Sequence, residues 1–133
     1  MTDGRGIPLS LVVAGANRHD SKLLAPTLDQ VRVERPTAGV QHLCADAGYK
    51  GEPVRQAIQA RGYVPHVRQR KEEAAAKRQQ TGFKARRWVV ERTHSWFNRS
   101  RKLLISFEKS EASYRALLSL AAALICWKQT ISI

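Results

Sequence analysis

The chain has 133 residues, 43% of them hydrophobic, and it contains three tryptophans. This composition excludes a disordered tail and suffices for one domain with a modest core over residues 1–133. The net charge of +12 and the pI of about 10.5 favour an anionic partner, with nucleic acid ahead of a membrane surface. Residues 61–110 hold 14 Lys/Arg against 4 Asp/Glu, a net charge of +10, so the partner should contact the middle of the chain.

Cysteine and histidine usage indicates the compartment and the metal chemistry. Cys44 and Cys126 stand in apolar runs without a Cys-x-x-Cys motif, and no secretory signal begins the chain. They are predicted to be buried thiols in a reducing cytoplasm, and no disulfide is expected. The histidines show no paired ligand spacing, so no structural zinc site is predicted. They are His19, His42, His66 and His94.

The chain opens with a turn signal, Asp-Gly-Arg-Gly at residues 3–6, before an apolar, β-branched run over residues 7–14. This pattern predicts the second half of a β-hairpin. The strand that should precede the turn is represented only by Met1 and Thr2, which indicates a start inside a domain. Residues 22–31 then predict a short helix, irregular at Pro26, and residues 32–39 predict a loop.

Residues 40–45 predict a strand that stops at Asp46, ahead of a glycine turn. An acid at the end of a buried strand is where α/β proteins present a catalytic side chain. Asp at a strand end also commonly caps the next turn. The residues themselves favour neither interpretation of Asp46.

The next segments predict a helix, a strand and a basic loop. Residues 51–60 have the pattern of a helix. Residues 63–67 are strand-like, and Pro65 restricts them to an edge or a short strand. Residues 68–84 are dense in charge and have no apolar period, which predicts a mobile basic loop or a frayed helix on the surface.

Residues 86–104 form the most informative segment, because a helical period there sets a single acid among many bases. One side of the predicted helix carries Val89, Thr93, Trp96, Phe97, Ser100, Leu103 and Leu104, and the other carries Arg87, Glu91, His94, Ser95, Asn98, Arg101 and Lys102. An ordinary ion pair with Arg87 would explain Glu91. The face nevertheless holds more cations than one carboxylate can pair. A carboxylate there would repel phosphate unless a divalent cation stood between them, as metal-dependent phosphodiester chemistry requires.

The last predicted helix begins with a capping signal at Ser110 and Glu111 and runs to about Gln129. Its apolar core, residues 116–127, is shorter than the ~20 residues needed to cross a bilayer. It is predicted to be a buried helix that covers a sheet, and no membrane partner is expected.

The order of these elements closely resembles the catalytic core of DDE transposases from bacterial insertion sequences. Four motifs carry the resemblance and span nearly the whole chain: Gly-Ile-Pro-Leu at 6–9, Ala-Asn-Arg-His-Asp-Ser at 16–21, Ala-Asp-Ala-Gly-Tyr at 45–49 and Arg-Trp-Val-Val-Glu-Arg-Thr at 87–93. The resemblance implies an α/β, RNase H-like fold. It places the family's second Asp at Asp46 and its Glu at Glu91, as catalytic residues and metal ligands, with Arg87 matching the family's arginine.

The resemblance also implies an enzyme that cleaves and transfers DNA strands during transposition with Mg²⁺ or Mn²⁺. In two-metal catalysis, ions ~3.5–4 Å apart activate the attacking oxygen and stabilise the leaving one. The insertion-sequence ends and the target DNA are the expected partners, and Trp88 is either a stacking surface for them or part of the core. The expected DNA contacts are Arg86, Arg87, Arg92, Arg99, Arg101 and Lys102.

The chain departs from the family's pattern in two respects. Lys84 and Asn98 stand where relatives often carry a tyrosine and a lysine, and Arg101 or Lys102 is the candidate substitute. The family's first Asp lies upstream of the hairpin half that begins here, and Asp3, in the turn, is a poor substitute. We therefore expect an N-terminally truncated core, without its first strand, that is incomplete and inactive alone.

Two functions from different classes follow. The first is a transposase fragment, either completed by an upstream reading frame through frameshifting or a decayed remnant, with a second copy of the chain as a further candidate partner. The second is a non-catalytic basic nucleic-acid-binding protein, for which the charge of residues 61–110 would suffice. The four motifs favour the first.

Overall fold

A computed structural model describes residues 1–67, 87–105 and 108–131. These residues form a mixed α/β structure that divides into two compact units, one joining Met1–Val13 to Arg87–Ile133 and the other comprising Ala14–Arg86. The α-helices of the described ranges are α1 (Leu24–Asp29), α2 (Glu52–Gln59), α3 (Arg87–Asn98), α4 (Arg101–Leu104) and α5 (Glu111–Ile131), and the strands are β1 (His42–Ala45) and β2 (Val64–Val67).

The unit of residues 14–86 is built around a parallel pair of strands. β1 and β2 pair from His42 with Val64 to Ala45 with Val67, and α2 provides the crossover that a parallel connection needs. Ile58 of α2 is fully buried. The predictions of strands at 40–45 and 63–67 and of a helix at 51–60 are confirmed. Within the described residues β2 pairs on one side only, which allows it to contain proline.

The first helix of this unit is irregular at a different place from the one predicted. A 3₁₀ turn, Asp20–Leu23, leads directly into α1, and the junction rather than Pro26 is the irregular point. Pro26 lies in the first turn of α1, where a helix has no intrahelical use for the missing N–H. The predicted loop at residues 32–39 is confirmed.

In the other unit, the turn at residues 3–6 is confirmed but the strand at residues 7–14 is wrong. The carboxylate of Asp3 accepts the backbone N–H of Arg5 and of Ile7, each at 2.8 Å, and so organises the turn. Thr2 and Pro8 then form one antiparallel bridge. No described strand extends this bridge into a ladder, and Pro8 has no N–H to donate to one.

The predicted helix over residues 86–104 is two helices, and residue 86 lies outside the described ranges. α3 and α4 are separated at Arg99 and Ser100, where Ser100 adopts an extended backbone with φ −89° and ψ 99°. The predicted inner face holds for α3, since Val89 and Thr93 are 6% and 4% exposed. It fails at the end of α4, where Leu104 is exposed.

Helix α5 has the predicted cap but not the predicted burial. The Ser110 hydroxyl oxygen accepts the backbone N–H of Ser113 at 3.1 Å. Ala121 is the buried residue of this helix, whereas four of its large apolar side chains are 51–67% exposed. These side chains are Leu120, Leu124, Trp127 and Ile131. No helix in the described part of the chain is long and apolar enough to span a membrane.

The cysteine prediction is corrected in part. Both thiols are free, as expected, but Cys44 is exposed and Cys126 is half-buried. The alternation of side chains along a strand explains Cys44, because its neighbour Leu43 takes the buried position in β1. The apolar run around Cys44 indicated the strand correctly, but it did not identify which face is buried.

Candidate active site

Asp46 follows β1 directly and is exposed. Its Oδ1 atom accepts the backbone N–H of Gly48 at 2.9 Å, and so caps the 3₁₀ turn Ala47–Tyr49. The capping interpretation of Asp46 is therefore correct, and it does not exclude the other one. The second carboxylate oxygen makes no hydrogen bond or ion pair within the described residues, so it remains available to a ligand.

The pKa of Tyr49 depends on the negative charges around this turn. Burial raises the pKa of the Tyr49 hydroxyl, and the negative charges of Asp20 and Asp46 raise it further. Asp20 therefore lies close enough to act on the same tyrosine, on the 3₁₀ turn before α1. Asp20 belongs to the motif Ala-Asn-Arg-His-Asp-Ser at residues 16–21, for which no catalytic role is predicted. Asp20 and Asp46 thus both lie within electrostatic range of Tyr49.

Glu91 lies on the exposed side of α3, opposite the buried Val89 and Thr93. The groove around it is shallow and open, with a volume of about 400 Å³, and is lined by Val90, Glu91, His94, Ser95 and Asn98. Within the described residues the Glu91 carboxylate has no hydrogen bond or ion pair. The side chain of Arg87, its alternative partner, lies outside the described part, so that ion pair stays a prediction.

Arg92 is held at the surface of α3 by aromatic rings. Its guanidinium carbon lies 4.5 Å from the centre of the Trp88 ring and 6.0 Å from that of Trp96. Such cation–π contacts contribute roughly 0.5–1 kcal/mol at exposed sites. Trp88 is 43% exposed, so it belongs to the surface rather than to the core. Arg92 already covers one face of that indole.

The other predicted DNA contacts divide into described and undescribed residues. Arg99, Arg101 and Lys102 are exposed around the start of α4, and none forms an ion pair with a described residue. Asn98, the last residue of α3, lines the groove together with Glu91. Lys84, Arg86 and the side chain of Arg87 lie outside the described part, so their roles remain predictions. None of these described bases forms an ion pair with Glu91.

The two predicted catalytic acids belong to different compact units, and each is described within its own unit. Their convergence on one ion therefore stays a prediction. Each presents carboxylate oxygen, the donor that Mg²⁺ and Mn²⁺ prefer, and each is exposed. The chemistry of these donors fits a divalent cation. Within the described ranges no group of three or more His, Cys, Asp or Glu residues could hold a metal ion.

The structure also pairs two histidines that sequence spacing did not connect. The Nδ1 atom of His42, on β1, lies 2.7 Å from the Nε2 atom of His66, on β2. Their separation of 24 residues hides the contact, because only the parallel register of the strands brings the rings together. A sequence-level signal was present in the alternation of both strands, which puts both histidines on the exposed face.

Comparison with known families identifies the class of protein to which this geometry belongs. Residues 1–126 match the family model described as the transposase DDE domain, so the chain belongs to this family. The family implies an RNase H-like fold and the use of a divalent metal ion, and its members bind DNA. The small parallel sheet with flanking helices agrees with the fold.

Alignment with one relative gives a more specific comparison. The chain is 36% identical over 132 residues to a Burkholderia cepacia protein named as a transposase for insertion sequence element IS402. The alignment covers 96% of this chain and 60% of that relative, so the chain spans about three fifths of the relative's length. No solved structure matches the chain. The chain is therefore a homologue of insertion-sequence transposases.

Proposed function

We propose that this chain acts as part of the catalytic core of a bacterial insertion-sequence transposase, in the cytoplasm, and that Asp46 and Glu91 hold Mg²⁺ or Mn²⁺ there. The observation that carries the proposal is the match of the DDE domain over residues 1–126, with both acids inside it. The exposed carboxylates at the end of β1 and on α3 support it. The substrates are the insertion-sequence ends and the target DNA.

The acidic and basic side chains have different roles in the proposed reaction. A divalent ion bound by these acids supplies an activated oxygen nucleophile and neutralises charge on the leaving oxygen. Asp46 contributes the oxygen that its cap leaves free, and its backbone hydrogen bond to Gly48 fixes the direction of the carboxylate. Glu91 contributes from a rigid helix whose inner face is anchored by buried Val89 and Thr93. Arg99, Arg101 and Lys102 attract the phosphate backbone and position it beside the groove.

We further propose that the first catalytic acid is not on this chain. Oδ1 of Asp3 already accepts two backbone N–H groups in its turn and Oδ2 lies 3.9 Å from Arg5 Nε, so this carboxylate is poorly placed to bind a metal ion as well. The chain also covers only 60% of its IS402 relative. An upstream reading frame, joined by frameshifting, would supply the missing strand and its acid. A core with two of three acids would bind one ion without catalysis.

A strand-cleavage assay tests both proposals. DNA carrying the element's ends is incubated with Mg²⁺ or Mn²⁺ and either the 133-residue chain or a fusion that restores the upstream strand. We expect cleavage by the fusion alone. Asp46→Asn and Glu91→Gln in the fusion should abolish cleavage and leave DNA binding nearly intact, because removing an acid does not weaken attraction for phosphate. Glu52→Gln, which removes an exposed acid from α2, is the matched control and should cleave normally.

Two outcomes contradict parts of this proposal. Metal-dependent cleavage by the 133-residue chain itself, lost in Asp3→Asn, would show that Asp3 is the first acid and that the chain is a complete enzyme. A fusion that binds DNA and never cleaves it, under conditions where the IS402 relative does, would favour the alternative function. That alternative is a non-catalytic basic nucleic-acid-binding protein, and it needs only the exposed bases near α4.

A further inference from the structure

The histidine pair on the parallel strands is a second cluster of metal-binding side chains. His42 Nδ1 and His66 Nε2 are 2.7 Å apart, the ring centres are 4.9 Å apart, and the ring planes are tilted by 43°. Both side chains are exposed. The register pairs His42 with Val64 and Cys44 with His66, so the two rings meet diagonally across one face of the sheet.

We propose that His42 and His66 form a two-histidine site for a borderline transition-metal ion such as Zn²⁺, Ni²⁺ or Cu²⁺, with water as the remaining ligands. Zinc lies about 2.0–2.1 Å from imidazole nitrogen in tetrahedral sites, so two such nitrogens are ~3.3 Å apart. The observed 2.7 Å separation has to widen by only ~0.6 Å. Because both rings are exposed, side-chain rotation would provide this widening.

The donor chemistry separates this site from the candidate active site. Imidazole nitrogen suits Zn²⁺, Ni²⁺ and Cu²⁺, whereas Mg²⁺ binds carboxylate and water oxygen. The ligand set is limited to the two histidines, because no three described His, Cys, Asp or Glu residues are placed to hold one ion. Cys44 lies on the same exposed face of β1 and is not a ligand. The site therefore binds its ion independently of Asp46 and Glu91.

The ion would join the two strands of the sheet. β1 and β2 are four residues each, and a pair of short strands is weak by itself. An ion bound by one histidine from each strand binds the paired strands and not the separated ones, so it stabilises the pairing by mass action. Because β1 runs directly into Asp46, the ion would also hold the strand that presents this acid.

Calorimetric titration of the 133-residue chain with ZnCl₂ and NiCl₂ tests the site. We expect one ion per chain with no competition from millimolar Mg²⁺. His42→Gln and His66→Gln should each weaken binding at least about tenfold, since the loss of even an indirect partner of a metal ligand costs about 10–100-fold. The matched controls are His19→Gln, His94→Gln and Cys44→Ser, which remove no proposed ligand and should bind the ion as the wild-type chain does.

Thermal unfolding and paramagnetic broadening test the same two-histidine site. Zn²⁺ should raise the thermal unfolding midpoint of the wild-type chain and leave that of His42→Gln unchanged. Paramagnetic Ni²⁺ should broaden the imidazole signals of His42 and His66 in the wild-type protein, which requires no variant to fold. The proposal is overturned if the wild-type chain binds no ion, if Cys44→Ser alone abolishes binding, or if the broadening is centred on His19 or His94.

Discussion

The hydroxyl group of Thr93 donates a hydrogen bond to the carbonyl oxygen of Gly6 at 2.5 Å, joining residues 87 positions apart. Thr93 is 4% exposed, and both residues lie in motifs shared with the DDE transposases. Thr93→Val keeps the shape and removes the donor, which leaves a buried carbonyl unsatisfied. We expect a loss of about 1–3 kcal/mol in the free energy of unfolding, measured with urea. Thr93→Ser keeps the hydroxyl group and should lose less free energy of unfolding. An equal loss in Thr93→Val and Thr93→Ser would contradict this role of the hydroxyl group.

Gly6→Ala tests the same contact from the other side. Gly6 has φ +92°, which L residues rarely adopt, and an added Cβ would lie 3.1 Å from the carbonyl oxygen of Val89. The combined backbone strain and contact should destabilise the protein by about 1–3 kcal/mol. Gly4→Ala in the same turn is the control, since nothing lies within 4 Å of its added Cβ. Thermal unfolding of both variants measures the difference, and equal midpoints would refute the claim.

Acid should weaken the contact between Asp29, the last residue of α1, and Arg61, which follows α2. Arg61 donates Nε to Asp29 Oδ1 at 2.6 Å and Nη2 to Oδ2 at 2.8 Å. The hydrogen bond from Arg61 holds the pKa of Asp29 below its ordinary value. A carboxyl group with a lowered folded-state pKa stabilises the fold fully above its unfolded pKa of about 3.9, and this contribution is lost as the pH falls through the folded-state pKa.

The difference in urea midpoint between wild type and Asp29→Asn should therefore be largest near neutral pH and shrink below about pH 4. The Asp29 carboxylate is exposed and screened by solvent, so the effect is small at every pH. The urea midpoint of Arg61→Lys, which keeps the charge but not the bidentate contact, should lie between those of wild type and Asp29→Asn. A midpoint difference that is constant from pH 3 to pH 7 would show that the carboxylate charge is not responsible.

The proposed convergence of Asp46 and Glu91 can be measured directly. If the two acids share an ion, Mn²⁺ should broaden the backbone amide signals of residues 45–48 and of residues 89–93 at the same low concentration. Asp46→Asn should remove the broadening from both segments, because the ion loses a shared ligand. Glu111→Gln, in the first turn of α5, should change neither. Broadening confined to one segment would show that the acids do not share a site.

DNA affinity should depend on the bases around α4 and on salt. Each phosphate contact contributes a slope of roughly −0.9 in a plot of log affinity against log salt. Replacing Arg99, Arg101 and Lys102 together by Gln should reduce the magnitude of that slope by up to about 2.7. The matched control replaces three exposed bases of the other unit, Arg18, Lys22 and Arg32, and loses the same charge. Equal losses in the two triple variants would indicate a non-local charge effect.

Elements specified by neighbouring residues were predictable from the sequence. Strands at 40–45 and 63–67, the helix at 51–60 and the inner face of α3 follow from local alternation and period, and the structure confirms them. The locations of Asp46 and Glu91 came from family resemblance joined to that local pattern. Asp46 also shows the limit of a local pattern. The residues around it predicted a capping role and a catalytic role as alternatives and favoured neither.

Features that depend on distant partners were not predictable. The strand expected at residues 7–14 lacks a ladder in the described ranges, and ladder partners are not encoded locally. The apolar pattern of α5 identified a helix, but it could not show that the face carrying Leu124 and Trp127 is exposed. The contact between His42 and His66 required the parallel register. The prediction that Cys44 is buried was wrong for a related reason, because an apolar run does not show which side of a strand faces the core.

The break at Ser100 changes where a helix dipole ends. The carbonyl end of a helix carries a partial negative charge of about half an electron, which extends over its last turn. Because α3 ends at Asn98, that charge lies beside Arg99, the next residue; an unbroken helix would place it beyond Leu104. Besides its proposed contact with phosphate, Arg99 therefore acts as a counter-charge that stabilises the last turn of the helix carrying Glu91.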